Sequence, residues 1–386
     1  MRNAEATTAA RANGPQRGRA AQPYRLMVVD DSAVIRGLLT RSLEADPEIE
    51  VLASASNGEM ALNALARHDV EIVILDIEMP VMDGLTALPK MLAAKPGLKV
   101  IIASTLTRRG ADISMKALAA GAADYLTKPG ASALTSAEEF KRELLAKVKA
   151  LGQARRHAVG LAAPQAIQRA PGAAEEPPEP QRRVLALRTA AREPPEAIAI
   201  GSSTGGPQAL FSVMGALRGA LRQPIFITQH MPATFTTILA EHIARASGYA
   251  SAEGVDGEPV RGGRIYVAPG DFHMTVDGAR GEKVVRLLKT PPENFCRPSV
   301  DPMLRSLAAA YGGRVLTLIL TGMGHDGLGG GRAVVEAGGT LIAQDEATSV
   351  VWGMPGAVAT AGLCSAVLPL GEIGPFIGKL AARAGR

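Results

Sequence analysis

The feature that most constrains the fold of this 386-residue chain is a repeated alternation of short apolar runs with longer amphipathic stretches. The alternation occurs five times before residue 150, and the apolar runs are 26–29, 51–53, 72–75, 100–103 and 124–126. The amphipathic stretches are 33–43, 59–66, 85–93, 113–119 and 137–149. Strands that alternate with helices predict a doubly wound parallel sheet, and such a sheet binds ligands at the carboxyl ends of its strands.

A proline-rich segment divides the chain into two predicted domains. Residues 1–22 lack apolar periodicity and are predicted to be a disordered extension, so that the first domain occupies residues 23–150. Residues 151–195 contain the run EEPPEP and predict a semi-rigid linker, within which residues 182–192 could form a short helix.

A second α/β series begins at Ala197 with AIAIG and predicts a second domain over residues 196–386. Its clearer predicted strands are 225–228, 265–268, 315–320 and 340–343. This pattern predicts a Rossmann-like, parallel-rich α/β domain.

The positive charge of the chain lies outside the two predicted domains. The formal net charge is +5, of which residues 1–22 carry +3 and residues 150–196 carry +2. A nucleic-acid-binding protein needs a basic face on a folded domain, so the charge distribution argues against that class. An aromatic content of 3% argues in addition against a surface that stacks on bases.

Cysteine content and hydropathy both indicate a cytoplasmic protein. The two cysteines, Cys296 and Cys364, have neither the density of a disulfide framework nor the spacing of metal ligands, so ordinary reduced thiols are expected. The N-terminus has no signal pattern, and no apolar run approaches the roughly 20 residues that span a bilayer. We therefore expect no direct membrane insertion.

Charged side chains follow three of the predicted strands in the first domain. Asp30 and Asp31 follow the first strand, Asp76 ends the third, and Lys128 follows the fifth. Carboxylates that meet at one sheet edge repel one another unless a cation joins them, and hard oxygen ligands suit Mg²⁺. Asp76 could then accept a phosphoryl group as an acyl phosphate while Lys128 neutralises phosphate oxygens. The alternative is that each acid only caps a turn or a helix.

Over about residues 24–150 the sequence resembles the receiver domain of two-component response regulators, which has a flavodoxin-like fold. The resemblance rests on VVDDSAVIR, ILDIEMPVMDG, the serine-threonine step after the fourth strand, and DYLTKP. It implies that a histidine kinase phosphorylates Asp76. The implied Mg²⁺ ligands are Asp30, Asp31 and Asp76. The implied switch residues are Ser104 or Thr105 as the hydroxyl, Tyr125 as the ring that reorients, and Lys128 as the contact to phosphate.

The motif GSSTGG follows the first strand of the second domain directly. Ser203, at the centre of G-x-S-x-G, would have an exposed hydroxyl near helical N–H groups that can stabilise negative charge. The same small residues equally suit a phosphate-binding loop. His230 ends the next strand and Asp326 follows a later one, so a nucleophile, a base and an orienting carboxylate are predicted at one sheet edge. The alternatives are a buried structural histidine and a helix-capping aspartate, and His325 could compete as the base.

Over about residues 196–383 the sequence resembles the catalytic domain of the chemotaxis protein-glutamate methylesterases. The matching segments are IAIGSSTGGPQAL, FITQHMPATFT, RIYVAPGDFHM, RPSVDPML, LTGMGHDGLGGG and AQDEATSVVWGMPGAV. They occur in the family's order, and the family has the same sequence of receiver, linker and esterase. The resemblance implies that Ser203 is the nucleophile, His230 the base and Asp326 the orienting acid. The implied supporting groups are the backbone N–H of Met323, as an oxyanion donor, and Thr204.

Two positions depart from the family pattern. The family more often has Ala where Ser202 stands and Asn where His325 stands. Ser202 therefore places a second serine beside the predicted nucleophile. His325 places an imidazole beside Asp326 and could alter the pH profile of the activity.

The resemblance implies hydrolysis of glutamate methyl esters on the cytoplasmic helices of chemoreceptors, and deamidation of glutamines by the same acyl chemistry. No cofactor is expected for ester hydrolysis. Phosphorylation of Asp76 is predicted to move the receiver away from the Ser203 edge, which it otherwise obstructs. A DNA-binding transcriptional regulator is the first competing class, but no helix-turn-helix or basic stripe follows the linker. A non-catalytic signalling adaptor on the same scaffold is the second.

Overall fold

The computed structural model of the chain describes residues 22–128, 134–158, 160, 185–278 and 282–382. The predicted extension before residue 22 and most of the predicted linker lie outside the described residues. None of the described helices is both long enough and apolar enough to cross a membrane.

A five-stranded parallel sheet forms the N-terminal part, in the order β2-β1-β3-β4-β5. Its strands are β1 (Tyr24–Val29), β2 (Ile49–Ala55), β3 (Ile72–Asp76), β4 (Lys99–Ser104) and β5 (Asp124–Thr127). Its helices are α1 (Ala33–Glu44), α2 (Gly58–Leu65), α3 (Gly84–Ala94), α4 (Arg108–Ala119) and α5 (Leu134–Ala158). Every residue of β3 is buried, as expected for a central strand that helices cover on both faces. The doubly wound fold predicted from the alternation is confirmed.

Helix α5 differs from the sequence prediction, because it continues past residue 150 into the predicted linker. Arg155 and Arg156, near its end, are buried against the carboxylate of Glu71, with nitrogen–oxygen distances of 3.1 and 2.9 Å. Burial alone would raise the pKa of Glu71, but hydrogen bonds and charge from Arg156 lower it. These ion pairs hold the last two turns on the sheet. Residues 185–192 contain no helix.

A seven-stranded parallel sheet forms the C-terminal part, in the order β14-β13-β12-β6-β7-β9-β8. Its strands are β6 (Ala197–Ser202), β7 (Ile225–Gln229), β8 (Ala250–Glu253), β9 (Arg264–Val267), β12 (Val315–Ile319), β13 (Thr340–Gln344) and β14 (Ala366–Leu368). Its helices are α6 (Gly206–Ala216), α7 (Phe235–Ser247), α8 (Val300–Tyr311), α9 (Leu328–Glu336), α10 (Met354–Thr360) and α11 (Leu370–Ala381). The predicted parallel-rich α/β architecture is confirmed.

The sequence prediction omitted β8, β14 and an antiparallel hairpin formed by β10 (His273–Asp277) and β11 (Val284–Leu288). Strand β8 is an edge strand of four residues, ASAE, with alternating exposure and little β-propensity. The hairpin strands are five residues long and carry exposed charged residues. Segments this short show too little apolar periodicity to be recognised.

The helical face formed by α4 and the residues around β5 packs against α6 and α7 of the second sheet. The ring of Tyr125 stacks on that of Phe235, with centroids 4.7 Å apart. Asp112 of α4 lies 3.1 Å from Nε2 of His242 in α7. Gln208 of α6 donates a hydrogen bond to the carbonyl of Ala122. The two domains are thus in direct contact, and we call this arrangement the docked conformation.

Candidate phosphoacceptor and hydrolase sites

The first candidate site is a carboxylate cluster at the carboxyl ends of β1 and β3. Asp30, Asp31 and Asp76 each offer an oxygen within 4.8 Å of the other two. Lys128, directly after β5, lies 2.7 Å from Asp30 Oδ2 and 2.8 Å from Asp76 Oδ1. Burial raises the pKa of Asp76, and the Lys128 ammonium opposes that rise. Three hard oxygen ligands at one point fit a divalent cation such as Mg²⁺.

A cavity of about 190 Å³ opens beside this cluster, and both switch-hydroxyl candidates line it. Ser104 is the last residue of β4 and is buried, whereas Thr105 is exposed. The ring of Tyr125 is buried at the domain interface, where Lys147 Nζ lies 4.8 Å from its centroid. Burial foremost raises the pKa of the Tyr125 hydroxyl well above its usual range.

The second candidate site lies at the carboxyl ends of three neighbouring strands, β12, β6 and β7. Ser203 follows β6, His230 follows β7, and Asp326 lies in the loop between β12 and α9. The turn after Ser203 requires glycine, because Gly205 has a φ of 76° and a Cβ on Gly206 would overlap neighbouring side chains. All three functional candidates line one cavity of about 600 Å³.

Both ring nitrogens of His230 have partners other than Ser203. Nε2 lies 2.7 Å from Asp326 Oδ2, and Nδ1 lies 3.3 Å from Cys296 Sγ. Burial opposes the charged imidazolium, but the contacts with Asp326 and Cys296 prevail and raise the pKa of His230 to about 10. In this conformation these contacts favour the protonated ring, and both ring nitrogens are engaged by groups other than the Ser203 hydroxyl.

The carboxylate of Asp326 accepts hydrogen bonds at the N-terminus of α8. Its donors include the backbone N–H groups of Val300 and Asp301, at 2.6 and 3.1 Å, and the hydroxyl of Ser299 at 2.9 Å. Burial alone would raise the pKa of Asp326, but His230 and these donors lower it to about 2. A helix N-terminus favours an anion in this way, so Asp326 is fixed as a carboxylate.

Ser202, the first serine of the GSSTGG motif, faces away from the cavity. It is fully buried, and its hydroxyl donates to Gln229 Oε1 at 2.6 Å. Gln229 Nε2 in turn donates to the carbonyl oxygens of Ser203 and His230, at 2.9 and 3.2 Å. Ser202 and Gln229 therefore position the backbone on which Ser203 and His230 stand.

The remaining predicted groups also line the cavity. Thr204 is buried, and its carbonyl accepts a hydrogen bond from Thr321 Oγ1 at 2.9 Å. Met323 is half-buried, and His325 is exposed at the cavity wall. His325 therefore lies near the site. The two ring nitrogens of His230 contact Asp326 and Cys296.

Sequence reasoning missed three consecutive site residues, Asn294, Phe295 and Cys296. Asn294 Nδ2 donates to Asp326 Oδ1 at 2.8 Å and to Asp301 Oδ2 at 3.0 Å, so one amide joins two carboxylates. Cys296 was expected to be an ordinary thiol; it is indeed a free thiol, but it contacts His230. No strand end or motif spacing marks these positions, and they precede RPSVDPML directly.

The cavity has a second wall that belongs to the N-terminal domain. The residues in that wall are Asp124, Arg142, Glu143, Ala146 and Lys147. Arg142 lies over the ring of Phe295, with its guanidinium carbon 5.8 Å from the centroid. Residues of both domains therefore line the cavity that leads to Ser203.

Known proteins resemble this chain over nearly its whole length. Residues 26–137 match the family model for the response regulator receiver domain, and residues 198–377 match that for CheB methylesterase. A protein-glutamate methylesterase/protein-glutamine glutaminase of group 2 operon from Rhodospirillum centenum is 60% identical, covering 96% of this chain and 97% of that protein. Protein-glutamate methylesterase/protein-glutamine glutaminase 1 of Paramagnetospirillum magneticum is 61% identical, with coverages of 94% and 98%. The solved CheB methylesterase catalytic domain of Thermotoga maritima is 40% identical, covers 48% of this chain and 98% of its own, and has a TM-score of 0.47.

Proposed function

The chain belongs to the protein-glutamate methylesterase/protein-glutamine glutaminase family, and from this membership we propose that it demethylates glutamate methyl esters on the cytoplasmic helices of chemoreceptors. The family predicted from the sequence is confirmed. The observation that carries the proposal is the convergence of Ser203, His230 and Asp326 on one cavity at three neighbouring strand ends. Deamidation of glutamine is the same acyl transfer with ammonia as the leaving group.

The proposed reaction passes through an acyl-enzyme. Ser203 Oγ attacks the ester carbonyl carbon, its proton passes to neutral His230, and the carbon–oxygen bond breaks to release methanol with that proton. Water then hydrolyses the acyl-enzyme by the same base. Asp326 would orient the imidazole and stabilise its charge, while the backbone N–H of Met323 and the N-terminus of α6 would stabilise the oxyanion. Thr204 supports this wall of the site.

His230 has to change its contacts before this reaction can start. In the docked conformation it contacts Asp326 and Cys296, and these contacts favour its protonated form. A productive base must be neutral and must face Ser203 Oγ. The docked conformation is therefore the inactive one in this proposal.

We propose that phosphorylation of Asp76 by a chemotaxis histidine kinase releases the inhibition. Mg²⁺ held by Asp30, Asp31 and Asp76 would neutralise the incoming phosphoryl group. Lys128 and the buried Ser104, with Thr105 as the neighbouring alternative, would contact its oxygens, since all three line the cavity beside Asp76. Tyr125 would then leave its stack, and the wall formed by α5 would separate from the cavity.

The proposed place of action is the cytoplasm, where the receptor helices and the kinase are accessible. The protein would reach the membrane through its receptor partner, without inserting itself, and would not bind nucleic acid. A non-catalytic adaptor remains the competing function, and it differs in one observable, the release of methanol.

Ser203→Ala tests the proposed chemistry, with Ser202→Ala as the matched control. Because only Ser203 faces the cavity, its loss is expected to lower methanol release from methylated receptor by about 10³-fold or more. Ser202→Ala removes only a supporting hydrogen bond and is expected to cost less than about tenfold. Equal rates in wild type and Ser203→Ala would show that Ser203 is not the nucleophile.

A further inference from the structure

The loop between β11 and α8 contains a tight turn that presents successive residues to the hydrolase cavity. Glu293 and Cys296 exchange two backbone hydrogen bonds, with N–O distances of 3.1 and 3.0 Å. Two contacts of 2.7 Å between the Glu293 carboxylate and Arg305 anchor the turn to α8. The turn is therefore fixed to the helix whose N-terminus holds Asp326.

The central residues of this turn, Asn294 and Phe295, both have positive φ values, of 53° and 62°. Turns of this kind favour asparagine at the first central position and glycine at the second. Asn294 fits the preference, whereas an aromatic residue in the second position is strained. Phe295 is thus held in a backbone conformation that glycine would adopt with less strain.

Phe295 is also 88% exposed, although its neighbours are tied to the site. Asn294 binds Asp326, and Cys296 contacts His230, so the turn cannot shift without disturbing both. The ring consequently stands at the mouth of the cavity that contains Ser203. A strained, solvent-exposed aromatic ring adds nothing to the core, and its position at the mouth suits contact with a partner.

In the docked conformation the only described charge within cation–π distance of this ring is Arg142 of α5. The guanidinium carbon lies 5.8 Å from the ring centroid and comes from the domain that must separate for activity. The guanidinium lies beside one part of a ring that is otherwise exposed, and it leaves when the domains separate. An exposed ring that lines the same cavity as Ser203 is suited to bind what enters that site.

We propose that Phe295 is a substrate-binding residue that packs against aliphatic side chains flanking the methylated glutamate on the receptor helix. This inference rests on the proposed function and adds a determinant of substrate choice. The flat ring provides apolar contact beside Ser203. This contact strengthens the binding of an ester carried on a helix, whereas a small free ester has no flanking side chains to make it. Arg142 lies near the same ring when the domains are in contact, on one side of the position that the substrate would take.

The test compares full-length wild type, Phe295→Gly and Phe295→Tyr in the presence of a phosphodonor, so that Arg142 is displaced. Glycine is the matched replacement because it suits the positive φ and preserves the turn. Each protein is assayed on methylated receptor fragment, by methanol release, and on p-nitrophenyl acetate. Thermal melting of each variant reports whether the turn is retained.

Phe295→Gly is expected to lower kcat/KM for the receptor about tenfold, as for loss of an aromatic anchor, and to change p-nitrophenyl acetate hydrolysis by less than about twofold. Its melting temperature is expected to equal or exceed that of wild type, and Phe295→Tyr is expected to retain receptor activity. An unchanged kcat/KM for the receptor overturns the inference, and so does an equal loss on both substrates, which assigns Phe295 to support of the site. Absence of methanol release from wild type defeats the proposed function itself, and this inference with it.

Discussion

In the proposed mechanism, His230 has to be neutral before Ser203 can react. Its pKa is raised to about 10 because Asp326 and Cys296 bind its two ring nitrogens, despite burial that favours the neutral form. A group with a raised folded-state pKa stabilises the fold fully below its ordinary value, near 6.5, and this contribution is lost as the pH rises toward 10. The docked protein therefore loses stability over the same pH range in which His230 loses its proton and becomes available as a base.

Cys296→Ala tests this relation, with Cys364→Ala as the control. Removal of Sγ takes away one contact that favours the imidazolium, so the alkaline rise of the unphosphorylated esterase rate is expected to move to lower pH. Cys364 is a buried core thiol and its loss should leave the midpoint in place. The measurement is the rate on p-nitrophenyl acetate from about pH 6 to about pH 10, a range that extends from the ordinary pKa of histidine to the raised pKa of His230. His325, in the same cavity wall, is replaced by Asn in a separate variant. Identical midpoints for both cysteine variants would contradict the role of Cys296.

A carboxylate near the start of each of the helices α8 and α9 accepts hydrogen bonds from N–H groups at the start of the other helix. These hydrogen bonds fix Asp326. The N–H groups that begin α8 bind Asp326, which lies two residues before the start of α9. Asp301, in the first turn of α8, accepts from the N–H groups of Gly327 and Gly330 at 3.0 and 2.6 Å. The helices approach closely enough that a Cβ on Gly330 would lie 2.7 Å from the Asp301 carbonyl.

Gly330→Ala tests this packing, with Gly378→Ala as the matched control on a helix. The added methyl group at Gly330 must separate the helices, which is expected to cost about 1–3 kcal/mol of unfolding free energy and to lower the esterase rate. A methyl group on Gly378 of α11 would have no heavy atom within 4 Å beyond its own helix, so alanine there should stabilise by about 0.5–1 kcal/mol. Chemical denaturation measures both. Equal changes in stability at the two positions would refute the close approach.

The sequence predicts those parts of the site that lie at strand ends. Ser203 and His230 directly follow apolar runs, and parallel strands bring their carboxyl ends to one edge, so their proximity follows from the topology. Cys296 and Asn294 come from a turn that follows an antiparallel hairpin, and no local pattern fixes where such a turn packs. The end of α5 was missed for a similar reason, since the long-range ion pairs to Glu71 extend it beyond the change in composition.

The two domains are joined through contacts that phosphorylation would have to break under the proposed control. The stack of Tyr125 on Phe235 connects a predicted switch residue to the start of α7, which follows His230 closely in sequence. The pair between Asp112 and His242 adds a polar contact that is only partly exposed. In the proposed mechanism these contacts would couple the state of the first sheet to access to the second site.

Asp112→Ala is expected to raise the unphosphorylated esterase rate about two- to fivefold, because loss of about 0.5–1 kcal/mol shifts the docking equilibrium toward the open form. Asp69→Ala is the control, since Asp69 pairs with Arg25 and Lys95 of its own domain. The maximal rate with phosphodonor should be the same in both variants and wild type. A rise of equal size in Asp69→Ala would mean that general destabilisation, and not docking, controls the rate.

The most direct test of the link between Asp76 and Ser203 is methanol release from methylated receptor, measured with and without phosphodonor for wild type and Asp76→Ala. A coupling of about 1.4 kcal/mol or more predicts that the phosphodonor and Mg²⁺ raise the wild-type rate by about tenfold or more. Asp76→Ala should show no response to the phosphodonor while retaining the basal rate. A wild-type rate that does not change with phosphodonor, or an equal rise in Asp76→Ala, would contradict control of Ser203 by Asp76.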